Sequence, residues 1–241
     1  MTINKDDHLK HISHQFNTEM GDLKSNLLAM GALVEQQVSA AMQAFITADA
    51  ASAREIRDRD KQVDAMELGI DEEANQLIAR RQPAAGDLRL ILAVVKMVAD
   101  IERIGDEAKK IARFAVALEK QGAAPMGALE IRHIGVQVNT MLHAALQAFQ
   151  QFDSTMALQV MREDEAVDKE YRSAVRALVT FMMEDARSIT GCLNVMWVLR
   201  SLERVGDHAG NLAEQVIFMV EGTDVRHAPM QVARDAVEGK L

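Results

Sequence analysis

Glu102 and Asp106 stand four residues apart within Ile101-Glu102-Arg103-Ile104-Gly105-Asp106, and the same six-residue pattern returns 101 positions later as Leu202-Glu203-Arg204-Val205-Gly206-Asp207. On a helix that spacing stacks the two carboxylates on one face, their Cβ atoms about 5–6 Å apart. Like charges so placed repel by roughly 0.2–0.5 kcal/mol, and the glycine inside the pattern costs about 1 kcal/mol relative to alanine. One such pair means little in a chain with 36 acidic residues. A costly pattern repeated in two halves of a sequence points to chemistry, and for grouped carboxylates that chemistry is the binding of cations.

Two further pairs, Asp60/Asp64 and Asp164/Asp168, share the spacing. If the chain folds back at Pro83, Asp64 and Glu102 each lie 19 residues from the turn, and Asp60 and Asp106 each lie 23. Helices rise about 1.5 Å per residue, so the two pairs arrive at the same height on facing helices. A second turn between Asp185 and Ala186 makes Asp168 level with Glu203, and Asp164 level with Asp207. Four carboxylates then converge in each half, and such a cluster does not stay fully ionised without a counter-charge. Three readings are open: a solvated acidic face with Arg103 and Arg204 as local counter-ions, an acidic docking surface for a basic partner, and an oxygen-only metal site. The last suits hard ions such as Mg²⁺, Mn²⁺, Ca²⁺ or iron. Duplication and level-matching favour metal.

The elements that hold these acids are legible as helices. The chain is 49% hydrophobic but only 4% aromatic, with three prolines, which suits an all-α fold. Leu23, Leu27, Met30, Val34, Val38, Ala41 and Phe45 recur at three- and four-residue steps and predict a helix over residues 6–48. Asp49 is placed to cap a second helix, about 52–81, and Pro83 with Gly86 marks the turn into a third, about 87–121. The run from Gly122 to Gly127 is the best boundary. Beyond it the pattern restarts: a shift of 104 aligns Gly31 with Gly135, Phe45 with Phe149, Asp49 with Asp153 and Asp64 with Asp168, and after the next turn the shift becomes 101. The expected fold is therefore two tandem pseudo-symmetric antiparallel three-helix bundles, over residues 1–122 and 123–222. The charged tail, 223–241, has little periodicity and is expected to be loosely held.

Composition narrows the function classes. A net charge of −9 argues against a general nucleic-acid or anionic-lipid surface. The single cysteine, Cys192, and the polar N-terminus suggest a reducing, cytoplasmic setting, and the apolar run Leu88–Ala99 is too short to span a bilayer. No Gly-rich phosphate loop or nucleophile elbow occurs, so catalysis has no candidate machinery. A metal-dependent carboxylate-bundle oxidase or metal-storage protein is the alternative, but that architecture needs two Glu-x-x-His motifs and the chain offers only Glu130-x-x-His133. His8, His11, His14, His143 and His227 fall outside the acidic groups. His208 points about 100° round the helix from Asp207 and reads as a surface residue.

The chain also resembles the PhoU family over nearly its whole length. The likeness is carried by His11-Ile-Ser13 with Gln15-Phe-Asn17, Val34-Glu-Gln-Gln37, Arg81-Gln-Pro83, Asp87-Leu-Arg-Leu90 and Glu102-Arg-Ile-Gly-Asp106, then Arg162-Glu-Asp164, Met182-Met-Glu-Asp185, Glu203-Arg-Val-Gly-Asp207 and Arg226-His227. The resemblance implies multinuclear metal sites on the acidic pairs: Glu102, Asp106, Glu203 and Asp207 match the family's motif, with Asp60, Asp64, Asp164 and Asp168 opposing them. It leaves iron, manganese, magnesium or zinc as the metal. It further implies a cytoplasmic homodimeric adaptor that represses the phosphate-starvation response and limits uptake, coupling the ATPase subunit of a phosphate ABC transporter to a sensor histidine kinase. Exposed arginines near the first turn, Arg80, Arg81 and Arg89, are candidate docking residues. The halves differ where Asp100 becomes Ser201 and Glu107 becomes His208, which predicts sites of unequal nuclearity, affinity or metal.

Overall fold

The computed structural model describes residues 14–119 and 127–240. Three long helices, α1 (His14–Thr47), α2 (Ala50–Arg81) and α3 (Ala85–Glu119), form the first unit. The second repeats them as α4 (Ala128–Gln151), α5 (Ser154–Glu184) and α6 (Ile189–Glu221), with a 3-10 turn at Ala186–Ser188 before α6. Among the described residues there is no strand. The expected boundary run, apart from Gly127, and His8 and His11 lie outside the described residues.

Local chemistry explains the repeated turns. Ala48 (φ 52°) and Phe152 (φ 55°), which correspond in the two units, take the left-handed conformation that ends the first helix of each. The next residue is an aspartate that caps the second helix: Asp49 accepts from the Ala51 and Ser52 amides, and Asp153 from that of Met156. Each cap is worth about 1 kcal/mol. The apolar stripe predicted for α1 is buried, Leu23, Leu27, Met30, Val34 and Val38 within it, and so are Ile91, Val94 and Ile101 of α3.

The units are fused along α3 against α6 and α1 against α4. At the α1–α4 crossing the pseudo-symmetry shows in atomic detail. A Cβ at Gly31 would stand 2.6 Å from Leu146, and one at Gly135 would stand 1.8 Å from Met42 Sδ. Gly31 and Gly135 correspond, as do Met42 and Leu146. Gly135→Val is therefore expected to overpack the crossing and cost about 1–3 kcal/mol, read as a lower urea midpoint; an unchanged midpoint would show that the crossing tolerates side-chain bulk.

The tail differs from expectation. Residues Met230–Val237 form α7, which packs on α5 and α6 with Val225, Ala233 and Ala236 buried. Two alanines three residues apart suffice to seat one short helix, and that signal is too brief to show as periodicity.

Candidate metal centre

The second unit gathers its acids closely. One oxygen each from Asp168 on α5 and from Glu203 and Asp207 on α6 lie within 4.8 Å of one another, the only such acid, histidine or cysteine group among the described residues. Glu203 is 6% exposed. Its Oε1 accepts from Arg200, and its Oε2 is buried with no hydrogen-bond partner. Exposed Arg172 donates to Asp168 at 2.6 Å. Asp164 lies where α6 has no side chain: a Cβ on Gly206 would stand 3.3 Å from its Oδ1, and one on Gly210 would stand 3.7 Å from its Oδ2.

Proton affinities record the strain of this arrangement. Burial, then the charge of Asp207, pushes the Glu203 carboxyl up to about 7. Burial, then Asp207 and Asp168, pushes Asp164 up to about 6. Asp207, itself exposed at the edge of the group, is raised by its partly desolvated setting and by Asp168. A buried oxygen without a donor, inside an all-carboxylate group that resists ionising, is the setting that a hard cation would relieve. These residues fit such an ion.

The first unit is built differently. Lys109 places its Nζ between the acids, 2.7 Å from Asp106 and in close contact with Asp60, which is 5% exposed. Hydrogen bonds to Asp106 and Asp60 hold the Lys109 ammonium well above its usual value. Glu102 is raised by burial and by Asp106, Glu67, Asp64 and Asp60 in that order. Gln37, 3% exposed, reaches the same region, and neither of its amide atoms has a hydrogen-bond partner.

The eight acids singled out in the sequence thus divide. Asp168, Glu203 and Asp207 come together, Asp164 sits against the glycines of α6, Asp60 and Asp106 are joined through a lysine, and half-buried Glu102 and exposed Asp64 join no close group among the described residues. The counter-ions also differ from expectation: Arg204 turns away from the cluster to meet Glu107 on α3 at 3.0 Å. Lys109 and Arg172 are legible as partners, three residues after Asp106 and four after Asp168. Arg81 is forked onto Glu19, at 3.0 and 2.8 Å, so it is not a free docking cation. His133 meets Glu170 at 3.0 Å in a groove with Glu130, and none of the eight acids lines that groove.

His208 is the clear correction. It is 7% exposed rather than on the surface, and its Nδ1 lies 2.8 Å from Oδ1 of Asp100, which also accepts from Asn211 at 3.1 Å. The positions where the halves differ, Asp100 and His208, therefore meet across the α3–α6 seam.

Comparison with known proteins follows the same two units. The PhoU domain model matches residues 27–115 and 131–216. The chain belongs to the PhoU family. A relative from Pseudomonas aeruginosa, described as a phosphate-specific transport system accessory protein PhoU homolog, is 54% identical over 236 residues, 98% of each chain. The crystal structure of PhoU from the same organism superposes with a TM-score of 0.84 at 55% identity, covering 86% of this chain and all of that one. The phosphate transport system regulatory protein PhoU of Streptococcus pneumoniae gives a TM-score of 0.80 at 25% identity, covering 87% of this chain and 99% of that one. The resemblance to PhoU proteins thus extends from motif to fold. No described helix is long and apolar enough to cross a membrane.

Proposed function

We propose that this PhoU-family chain is a non-enzymatic, cytoplasmic accessory protein of phosphate transport, a negative regulator of uptake and of the phosphate-starvation response. It joins the ATPase subunit of a phosphate ABC transporter to a sensor histidine kinase and works as a homodimer. The observation that carries this reading is similarity along 98% of the chain to a relative described as an accessory protein of that system. Toward the α5–α6 turn, α6 leaves Ile189, Leu193 and Trp197 exposed, and α5 leaves Phe181 and Met183 exposed, which supports a surface for partners on the second unit.

In this reading Asp168, Glu203 and Asp207, with Asp164 behind them, hold a metal ion, and Asp60, Asp64, Glu102 and Asp106 form the related cluster of the first unit. The all-oxygen donor set favours magnesium, manganese or iron over zinc. A bound ion supplies positive charge that neutralises the carboxylates and ties α5 to α6.

The test replaces the chromosomal copy with Glu203→Gln/Asp207→Asn and follows a phosphate-starvation reporter in phosphate-rich medium. Expected is a helical protein at normal abundance with the reporter switched on, as in a deletion strain. A repressed reporter in the variant removes the role of the cluster; a repressed reporter in the deletion strain removes the regulatory reading itself.

A further inference from the structure

We propose that Lys109 is a built-in cation that closes the first carboxylate cluster to metal, and that Gly210, its counterpart in α6, leaves the second cluster open, so that this chain takes up metal in one unit only. The inference rests on the metal reading above and divides it unequally between two units that share the acidic motif.

The correspondence is positional. Glu102, Asp106 and Lys109 in α3 match Glu203, Asp207 and Gly210 in α6, each 101 residues on. In the first unit the lysine ammonium touches Asp106 at 2.7 Å and is also bonded to Asp60, whose side chain is 8% exposed. A metal ion entering there must take both acids from an ammonium that then stays beside it, so the ion meets like charge as well as the cost of breaking two ion pairs. Among the described residues no three acids of that unit bring oxygens as close as those of the second. Glu67 adds a further acid beside Glu102, yet it does not complete such a group.

The second unit is the reverse. Nothing projects from position 210, and the only atoms within 4 Å of a Cβ built there belong to the Asp164 carboxylate, the nearer at 3.7 Å. The cations that approach, Arg172 and Arg200, stand at positions occupied by Leu68 and Ala99 in the first unit. They engage Asp168 and one oxygen of Glu203, and the other Glu203 oxygen stays buried without a partner. That orphaned oxygen belongs to the same residue that converges with Asp168 and Asp207. An internal ammonium supplies the charge in one unit, and the other awaits a charge from outside.

The test is equilibrium dialysis of chelator-stripped full-length chain against Mn²⁺ alone, counting bound ions by the loss of the free-ion electron paramagnetic resonance signal. Expected is uptake by the wild-type chain that falls at least about tenfold in affinity in Glu203→Gln/Asp207→Asn and changes less than about twofold in Glu102→Gln/Asp106→Asn. Lys109→Met is expected to add Mn²⁺ binding that Glu102→Gln/Asp106→Asn removes, whereas Lys109→Arg, which keeps the charge, adds none. Gly210→Lys is expected to abolish wild-type uptake, and it tests the idea even if Lys109→Met fails to fold. Uptake in the wild type that depends equally on both acid pairs, or that survives Gly210→Lys, overturns the inference and leaves the metal reading standing. Absence of uptake in the wild type and in folded Lys109→Met removes the metal reading and this division of it together.

Discussion

Stripped of metal, the protein is expected to melt at progressively lower temperature as pH rises from 5 to 8, and a saturating divalent ion is expected to reverse the fall at pH 8 but not at pH 5. Glu203 and Glu214 are pushed up to about 7, and Asp164 to about 6, in each case chiefly by burial. A carboxyl raised in the folded state contributes fully below its unfolded value, near about 4, because both states then hold the proton. As pH climbs, the unfolded chain ionises freely while the folded chain retains the proton, and the contribution is lost through about pH 7. Each tenfold difference in proton affinity between the folded and unfolded chain is worth about 1.4 kcal/mol, and water reaching Asp164 and Glu214 reduces their shares, so the combined loss is on the order of 3 kcal/mol. For a chain of this size that is roughly 5–10 °C. The groups held low, such as Asp224 at about 2, act only in stronger acid and leave this window clear.

On the proposed metal reading, an ion would restore stability by mass action, about 2.7 kcal/mol at one hundred times the dissociation constant, once the site is ionised. Calorimetric melts in chelator and in Mn²⁺ across that range make the measurement. Asp164→Asn/Glu203→Gln is expected to make the metal-free profile shallower, leaving the share of Glu214, and to abolish the response to Mn²⁺. A wild-type midpoint that stays level from pH 5 to 8 would mean that the buried acids ionise without penalty, and the physical case for a cation would go with it.

How much of this is readable from sequence depends on how many neighbours each helix has. Pro83 and Gly86 predict the facing ends of α2 and α3 to within a few residues, and counting from Pro83 places Asp60 level with Asp106; the expected start of the first helix, residues 6–13, lies outside the described residues. The wheel fails for α6, which packs against α3, α4 and α5 and is buried on most sides. A residue 100° from a known face is then as able to be inside as outside, which is why helical geometry alone misplaces His208. Lys109 is legible by spacing, but its reach to Asp60 depends on the direction of a long flexible side chain across an interhelical gap. Asp100/Ser201 and Glu107/His208 signal unequal clusters, whereas the cations that touch the acids differ elsewhere, Lys109 against Gly210 and Arg172 and Arg200 against Leu68 and Ala99.

The seam where Asp100 meets His208 carries the second large effect: Asp100→Leu is expected to destabilise the chain by about 3 kcal/mol, and adding His208→Leu to recover most of it. A perfectly repeated α6 would carry glutamate at 208, since Glu107 is its counterpart, and would set a carboxylate against Asp100. Histidine replaces that repulsion with a hydrogen bond. A carboxylate oxygen only accepts, so Nδ1 of His208 and Nδ2 of Asn211 both donate to Asp100 Oδ1, at 2.8 and 3.1 Å. Removing the acceptor strands two donors in a seam where the His208 side chain is 9% exposed. Replacing both partners with leucine removes the need of His208 for pairing and leaves only the half-buried Asn211 amide to find water, and buried polar pairs exchanged for apolar ones are often neutral in stability. Urea unfolding of the wild type, both single variants and the double variant gives the coupling, expected at about 1–3 kcal/mol. Asp100→Asn separates its sources: an amide keeps an acceptor oxygen, so a small cost assigns the effect to the hydrogen bonds and a large one to the charge. Strictly additive costs would mean that the Asp100–His208 contact adds no coupling across the α3–α6 seam, and that this difference between the two repeats does nothing to hold the units together.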